Sequence, residues 1–332
     1  MKWWLYSHFL VESEVEVSLP FQGDLMASRS MVGDVERVAF SSGGEVLVGD
    51  LYLPTSSNAK RRPAVVVAGA WGTVKEQMAA GYAREMAARG VIALAFDFRT
   101  WGESGGQPRS MEDPYTKAAD IVAAAEFLAE HPAVNGDAIG GLAICAGSSY
   151  MALAATRAPQ IKSLAFVAPA LPTRADVLEN LGGETAMAAL VDAAREAMAE
   201  YERTGRQTLV PAVDDSAGQQ SVAGLDYYTN ADRGLIPEWD NTFNLASWST
   251  WAQFDVHSVA KELGQPLLVV HSDAAVNPDS VRQFVANVSA PVEQLWLDGA
   301  SQFDFYDQPA AMATASDAVS AHFSRTLGQT GE

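Results

Sequence analysis

The sequence predicts an α/β fold in which a mostly parallel central sheet carries helices on both faces. Short, nearly continuous apolar runs of strand length alternate with segments in which apolar residues recur every three or four positions. Runs of the first kind are typical of strands buried on both faces, and their alternation with helices is typical of a parallel sheet. The chain has 332 residues, 48% of them hydrophobic, which is enough for one large core.

The regular elements begin near residue 35. Two alternating runs, 35–40 and 45–53, are separated by Ser41-Ser42-Gly43-Gly44 and predict a β-hairpin. Further strands are predicted at 64–68, 91–96, 138–144, 163–167, 266–271 and 294–297. Helical spacing fills most of the gaps between them, and Asn277-Pro278 predicts an N-cap followed by proline at the first helical position.

One segment, 171–255, interrupts this alternation and is too long for a loop. It contains an Ala-rich helical stretch at 184–203 and an aromatic end. We therefore predict a mostly helical cap inserted over the C-terminal edge of the sheet, where open α/β sheets bind ligands. Most of its aromatic residues are expected to pack the cap onto the core, and Tyr227 and Trp248 are candidates for lining a substrate pocket.

The predicted domain organisation therefore has three parts. An N-terminal extension covers residues 1–34, and the inserted cap covers residues 171–255. The core consists of residues 35–170 and 256–328. The apolar stretch 3–11 is short, and acidic residues rather than a cleavage site follow it, so we expect no signal peptide.

Charge and composition exclude several classes of function. The formal net charge of -19 disfavours nucleic acid and anionic membranes as partners, and no apolar run reaches the length of a membrane span. A single cysteine excludes an internal disulfide and fits the cytoplasm. The sequence contains no metal-ligand spacing of His, Asp or Glu, so no metal is expected. It also contains no Walker loop and no dinucleotide fingerprint, so no cofactor is expected. The expected partner is a small-molecule substrate, and a homodimer stays open.

The only cysteine, Cys145, comes directly after a buried strand and directly before a helical pattern. Strand, sharp turn and helix form the setting of a nucleophile elbow, which needs small residues such as Ala143 and Gly147 on either side. The helix N-terminus would stabilise a thiolate and lower its pKa, and the Ala146 N–H would donate to an oxyanion. The alternative is a buried structural cysteine.

A second pattern, Gly102-Glu103-Ser104-Gly105-Gly106, matches G-x-S-x-G in letters only. A polar loop follows Ser104 instead of a helix, so the strand–turn–helix setting is missing. We expect Ser104 not to be the nucleophile.

Several motifs together resemble the dienelactone-hydrolase-like branch of the α/β hydrolases. They are Gly69-Ala70-Trp71-Gly72-Thr73-Val74-Lys75-Glu76-Gln77, Phe96-Asp97-Phe98, Met111-Glu112-Asp113-Pro114, Gly141-Leu142-Ala143-Ile144-Cys145-Ala146-Gly147, Asn241-Thr242-Phe243 and Phe303-Asp304-Phe305-Tyr306-Asp307. The resemblance implies the α/β-hydrolase fold and an activity similar to that of esterases, thioesterases or polyketide-transferring enzymes, often with a Cys nucleophile. It also implies a second oxyanion donor at the Trp71 N–H, next to Ala70.

The sequence departs from that family at both supporting positions of a catalytic triad. Ala275 stands where the acid is expected, and the nearest carboxylate is Asp273. Gln302 stands where the triad His is expected, and an amide does not take up a proton near neutral pH. Among the histidines, His271 at a strand end is the first substitute and His257 the second.

The other histidines, His8, His131 and His322, are expected at the surface.

Three functions stay open. The first is acyl chemistry, meaning ester, thioester or lactone hydrolysis or acyl transfer, through Cys145, with Gln302 as a polar positioning group. The second is binding of a small molecule without catalysis, and the third is a non-hydrolytic cyclisation, elimination or rearrangement. The elbow favours the first, and the changes at Ala275 and Gln302 favour the others.

Overall fold

The structure is a computed structural model that describes residues 34–55, 61–213 and 226–328. The strands are β1 Val35–Ser42, β2 Glu45–Tyr52, β3 Arg62–Ala68, β4 Ile92–Phe96, β5 Val134–Ile144, β6 Ile161–Val167, β7 Leu209–Pro211, β8 Thr242–Asn244, β9 Leu267–His271 and β10 Val292–Trp296. The α-helices are α1 Met78–Ala88, α2 Pro114–Glu130, α3 Gly147–Ala155, α4 Arg174–Asn180, α5 Glu184–Thr204, α6 Asp226–Thr229, α7 Trp248–Trp251, α8 Pro278–Asn287, α9 Asp304–Asp307 and α10 Pro309–Thr326.

The central sheet has eight strands in the order β1-β2-β4-β3-β5-β6-β9-β10. The predicted hairpin is β1 with β2, which pair antiparallel, and β2 also runs antiparallel to β4. The other neighbours are parallel, so the predicted mostly parallel sheet is confirmed. Its inner strands are apolar because helices cover both faces; residues 64–68 and 139–144 are fully buried.

The strand order creates a crevice at the C-terminal edge of the sheet. The chain passes from β3 to β4 on one side and then returns to place β5 on the other side of β3. Such a reversal point is where open α/β sheets bind ligands. Ala68 of β3 pairs with Ala143 of β5, so the loop after β3 and the turn after β5 lie side by side.

The segment 171–255, called the insert below, separates β6 from β9. Its described residues form α4 to α7 and a two-stranded antiparallel ribbon of β7 and β8. The sequence predicted helices there but not the ribbon, because three-residue strands are too short to show a periodicity of two. Residues 214–225 of the insert and residues 1–33 of the predicted extension lie outside the described residues.

Two local expectations differ from the structure. His322 is buried, because α10 presents it to the sheet and its Nε2 lies 2.9 Å from Ser163 Oγ, so the expected surface position was wrong. Asn277 precedes α8 as predicted, but its φ of 49° is left-handed and its side chain makes no capping bond. None of the helices in the described ranges has both the length and the apolar character that crossing a membrane requires.

Candidate active site

The strand–turn–helix setting expected around Cys145 is present. Cys145 follows β5, has a φ of 54°, and is followed after one residue by α3. A Cβ at Gly147 would lie 2.4 Å from the Gly69 carbonyl oxygen and 2.6 Å from that of Ala68, so only glycine fits this position. The left-handed backbone at a non-glycine residue is the kind of strain that accumulates at functional sites.

Four polar groups face the Cys145 sulfur. Burial raises the pKa of this thiol. Four hydrogen-bond donors oppose the rise because each favours the thiolate: the Tyr306 hydroxyl, the Ala146 N–H, the Gln302 amide and the Trp71 N–H. Burial is the larger effect, and the expected lowering of the pKa is therefore not found. The two backbone donors belong to the residues that the sequence nominated for an oxyanion hole. The sulfur is thus surrounded by hydrogen-bond donors.

Gln302 lies where the sequence placed it, and its orientation is fixed at both ends. Its Oε1 accepts the Val276 N–H at 3.2 Å, while its Nε2 donates to the Ala168 carbonyl at 2.8 Å and to the Tyr306 hydroxyl at 3.3 Å. A flipped amide would set Oε1 against a carbonyl and Nε2 against an N–H. The NH₂ group is therefore the end that faces the sulfur.

Sequence reasoning missed Tyr306 as a site residue. Burial raises the pKa of its hydroxyl well above 10, and the nearby Cys145 and Tyr228 raise it further, so the phenol stays neutral and is a donor to the sulfur. Tyr227 packs edge-on against it, with ring centroids 5.1 Å apart, and supports Tyr306 instead of lining the pocket. The four-residue separation of Gln302 and Tyr306 was the available signal.

The other nominated triad residues do not reach the sulfur. Ala275 is buried at the position of the missing acid. The carboxylate of Asp273 pairs with Arg282 at 2.5 Å and its side chain is 74% exposed, because the turn after β9 directs it to solvent. Asp273 is thus no substitute for the acid.

His271 and His257 are engaged elsewhere. His271 Nε2 donates to the Val276 carbonyl at 3.1 Å, and its ring packs edge-on against Trp296 on the neighbouring strand. Burial lowers the pKa of His271 to about 4. His257 Nε2 lies 3.0 Å from the Leu171 carbonyl and 3.1 Å from Ser280 Oγ. Neither ring is among the groups that act most strongly on the Cys145 thiol.

Ser104 has a structural role, as expected. Its buried hydroxyl donates to the Asp97 carbonyl at 2.6 Å and accepts the Val48 N–H at 2.9 Å. It therefore ties the loop after β4 to β2.

Three carboxylates converge near that loop, from Glu76, Asp97 and Glu103. The buried Lys75 Nζ lies among them, at 2.5 Å from Glu76, 2.9 Å from Asp97 and 2.5 Å from Glu103. The ammonium group already provides the positive charge that these carboxylates require, so the cluster is explained as an ion-pair network.

A pocket that is partly open to solvent, with about 830 Å³ of empty space, lies beside the chain neighbours of Cys145, although Cys145 is not itself one of its lining residues. Trp71 and Ala146, whose N–H groups face Cys145, both line it. Its walls come from the C-terminal edge of the sheet and from the insert. Among the described residues, every lining side chain is uncharged: Trp71, Ala146, Ser149, Tyr150, Ala170, Pro172, Val177, Asn180, Leu181, Trp248, Trp251, Phe254, Val256 and Asn277. Of the two nominated aromatics, Trp248 lines the pocket and Tyr227 does not.

A buried carboxylate, Glu112, holds the loop after β3 in place. Its Oε2 accepts the Gly72 N–H at 3.1 Å and the Lys117 ammonium at 2.7 Å, and its Oε1 accepts the Tyr150 hydroxyl at 2.6 Å. Its own N–H donates to Ser247 Oγ of the insert at 2.9 Å. Glu112 thus joins the loop that contains Trp71 and Gly72 to the helix that follows Cys145.

Comparison with known proteins places the chain among hydrolases. The family model of the X-Pro dipeptidyl-peptidase (S15 family) matches residues 43–301. Protein PA2218 of Pseudomonas aeruginosa is 32% identical over 276 residues, 80% of this chain and 74% of that protein. Thiohydrolase aneE of Aspergillus aculeatus is 28% identical over 193 residues, 56% of this chain and 58% of that protein.

Solved structures agree in fold. The PA2218 structure has a TM-score of 0.80 at 24% identity and covers 92% of this chain and 100% of that one. A dienelactone hydrolase of Anabaena variabilis has a TM-score of 0.55 at 12% identity, and the match covers 90% of this chain and 100% of that one. The resemblance to α/β hydrolases drawn from the sequence motifs is thereby confirmed.

Proposed function

This chain belongs to the X-Pro dipeptidyl-peptidase (S15) family and has the α/β-hydrolase fold, and from that premise we propose that it performs acyl chemistry through a thioester on Cys145. The supporting observation is the position of the sulfur, which lies in the elbow with the N–H groups of Trp71 and Ala146 directed at it. The proposed substrate is a small-molecule thioester or another ester with a good leaving group.

The proposed reaction begins with attack of the Cys145 thiolate on the substrate carbonyl carbon. A carbon–sulfur bond forms, the carbonyl oxygen becomes an oxyanion, and the Trp71 and Ala146 N–H groups donate to it. One such donor is typically worth about 10²–10³ in rate. Collapse of the intermediate breaks the bond to the leaving group and leaves the acyl group on Cys145.

The leaving group must depart without a proton from an imidazole. Gln302 and Tyr306, the side chains facing the sulfur, are neutral donors, and neither takes up a proton near neutral pH. A thiol has a pKa of about 8.5, so it leaves readily as a thiolate, whereas an alkoxide or an amine needs protonation. We therefore favour thioesters over alkyl esters and over peptide bonds, despite the descriptive name of the family.

The pocket indicates the kind of acyl group. Its lining is uncharged and rich in aromatic side chains, among them Trp71, Trp248 and Trp251. Burying an unpaired charge against such a surface is unfavourable, whereas burying an apolar or aromatic chain is favourable. An uncharged, apolar or aromatic acyl group fits these properties.

The second candidate is binding of a small molecule without acyl transfer. The raised pKa of the Cys145 thiol and the amide at position 302 favour it, since both reduce the supply of an activated nucleophile. Turnover separates the two candidates.

A substrate series with one acyl group tests the proposal. Rates would be measured for a benzoyl thioester, p-nitrophenyl ester, methyl ester and p-nitroanilide, with wild type, Cys145→Ala and Cys145→Ser. We expect release of the thiol or p-nitrophenol and acylation of Cys145 with the first and second substrates, much less with the methyl ester and the p-nitroanilide, and none with either variant, because serine needs the missing base. Turnover that survives in Cys145→Ala would overturn the proposal, and saturable binding with neither turnover nor a Cys145 adduct for any substrate would favour the second candidate.

A further inference from the structure

We propose that the acyl acceptor is a second thiol, so that the protein passes an acyl group from one thiol to another and is a poor hydrolase. This inference rests on the proposed acyl-enzyme at Cys145 and adds the chemical class of the second substrate. It is carried by the donor-only surroundings of the sulfur.

Those surroundings are rigid. The Val276 N–H and the Ala168 carbonyl bind opposite ends of the Gln302 amide, which prevents a flip that would turn its oxygen to the sulfur. Gln302 also donates to the Tyr306 hydroxyl, so one phenol lone pair is occupied and its hydrogen is available to the sulfur. These groups can donate hydrogen bonds to a thiolate or an oxyanion, but none of them accepts a proton near neutral pH.

Deacylation by water or an alcohol needs a proton acceptor. Bulk water has a pKa of about 15.7, and a general base typically contributes roughly 10²–10⁴-fold to such a step. Within residues 34–55, 61–213 and 226–328, no histidine is among the groups that act most strongly on the Cys145 thiol, and Nε2 of both His271 and His257 is bound to other partners. Water and alcohols are therefore poor acceptors.

A thiol needs no such help. If the thiolate of Cys145 attacks a thioester without a base, the reverse step, attack of a free thiolate on the acyl-enzyme, follows the same path through the same transition state. In the first step the new bond joins the carbonyl carbon to Sγ and the donor thiolate leaves. In the second, the acceptor thiolate forms the new bond and Sγ leaves; the acceptor's proton passes to solvent and is taken up by the released donor. Atoms and electrons balance without any oxidant or cofactor.

The test is a chase of the acyl-enzyme. Wild type is acylated with excess benzoyl thioester of N-acetylcysteamine, freed of reagent by rapid desalting, and mixed with buffer, ethanol, glycine amide or 2-mercaptoethanol. Intact mass then follows loss of the acyl group. We expect the acyl group to be lost slowly in buffer and in ethanol, and faster in proportion to the thiolate concentration when 2-mercaptoethanol is added. The second-order rate constant for the acyl-enzyme should be at least about 10²-fold higher than that for the uncatalysed reaction of the same thiol with the free thioester, because the oxyanion donors assist the enzyme reaction.

The outcomes separate the two levels of the proposal. Failure to form any adduct would overturn the proposed function itself. An adduct that is lost equally fast in buffer and in thiol, or fastest in ethanol or glycine amide, would leave the proposed function standing and overturn the thiol acceptor.

Two variants of one residue add a matched comparison. Gln302→His introduces a base and should increase acyl loss in buffer by about tenfold or more, a part of the usual effect of a general base. Gln302→Met has a similar length and introduces neither base nor donor, so it should not increase loss in buffer. If Gln302→Met hydrolyses the adduct as fast as Gln302→His, the absence of a base was not what limited hydrolysis, and the inference is wrong.

Discussion

The thiol of Cys145 experiences two opposing effects. Burial favours the neutral thiol, and the donors from Tyr306, Ala146, Gln302 and Trp71 favour the thiolate. The position at a helix N-terminus predicted a lowered pKa for the Cys145 thiol. Only 1% of the residue is exposed, however, so desolvation has the larger effect on its pKa.

The pH dependence of alkylation measures this balance. We expect the rate of iodoacetamide labelling at Cys145 to rise with an apparent pKa above the free-thiol value of about 8.5. Tyr306→Phe removes a donor to the thiolate and should move the midpoint higher still, while a control at the exposed Tyr115 should not move it. A wild-type midpoint below that of a free thiol would show that the donors outweigh burial.

The vacant base and acid positions predict a coupled gain of hydrolysis. Gln302→His should raise hydrolysis of a p-nitrophenyl ester only in part, because Ala275 provides no carboxylate to orient the new imidazole. Adding Ala275→Asp should give a gain larger than the product of the two single effects, as for residues that act as a unit. Equal rates for the four proteins, with folding verified by circular dichroism, would show that a different group already serves as the base.

At the scale of residues, the sequence predicted Cys145, Ala146, Trp71 and Gln302 correctly as neighbours, because motif spacing fixes the backbone of an elbow and its loop. It did not predict the direction of side chains that motifs do not constrain. Asp273 points to solvent beside Arg282, and Tyr306 reaches the sulfur across a turn.

At the scale of elements, Glu112 joins the loop after β3, the N-terminal part of α2 and the elbow helix α3. The insert adds two contacts to this group: Trp251 Nε1 donates to the Tyr150 hydroxyl at 3.2 Å, and Trp239 Nε1 donates to the Gly72 carbonyl at 2.7 Å. The geometry of the oxyanion loop therefore depends on packing of the insert.

Removing the charge of Glu112 should disturb this loop. Glu112→Gln alone strands the buried Lys117 ammonium, which typically costs about 3–5 kcal/mol of stability. The double variant Glu112→Gln/Lys117→Met removes both charges and serves as the matched protein for kinetics. We expect its acylation rate constant to fall by about tenfold or more, with little change in KM. Loss of an oxyanion donor can lower a reaction rate by up to about 10³-fold. A stable double variant with a wild-type acylation rate would contradict a positioning role.

Elements with a clear period were predictable, and those without one were not. The hairpin of β1 and β2 and the buried strands β3 to β6 follow from alternation and from apolar runs. The β7–β8 ribbon has three-residue strands, and the Glu112 network joins residues up to 135 positions apart, so neither leaves a clear local signal.

At the scale of the whole molecule, the buried His271 makes stability depend on pH. Its pKa is about 4 in the folded protein and about 6.5 when unfolded, so the unfolded state binds more protons between these values. Its contribution is complete above pH 6.5 and is lost as the pH falls towards 4, by as much as about 3 kcal/mol.

Urea unfolding of wild type and His271→Phe from pH 7 to pH 4 tests this. The wild type should lose more stability across that interval than the variant does, and the difference should grow steadily as the pH falls. His322, whose pKa burial also lowers, remains in both proteins and cancels in the comparison. Parallel pH curves would mean that His271 is protonated equally in both states.

The overall architecture was the most predictable part of the molecule, since the alternation of strands and helices and the mostly parallel sheet follow from patterns repeated along the chain. The pocket depends on how the insert packs over the sheet edge, which no single stretch of sequence encodes. The proposed acyl chemistry would depend on how these two parts meet near Cys145.

Intact-protein mass after incubation with a series of apolar thioesters and aryl esters is the measurement to make first. The proposed chemistry predicts one acyl group per chain, located on the peptide that contains Cys145 and absent from Cys145→Ala. Substrate turnover with no adduct at any quench time, or an adduct of equal size on Cys145→Ala, would contradict a covalent role for this sulfur.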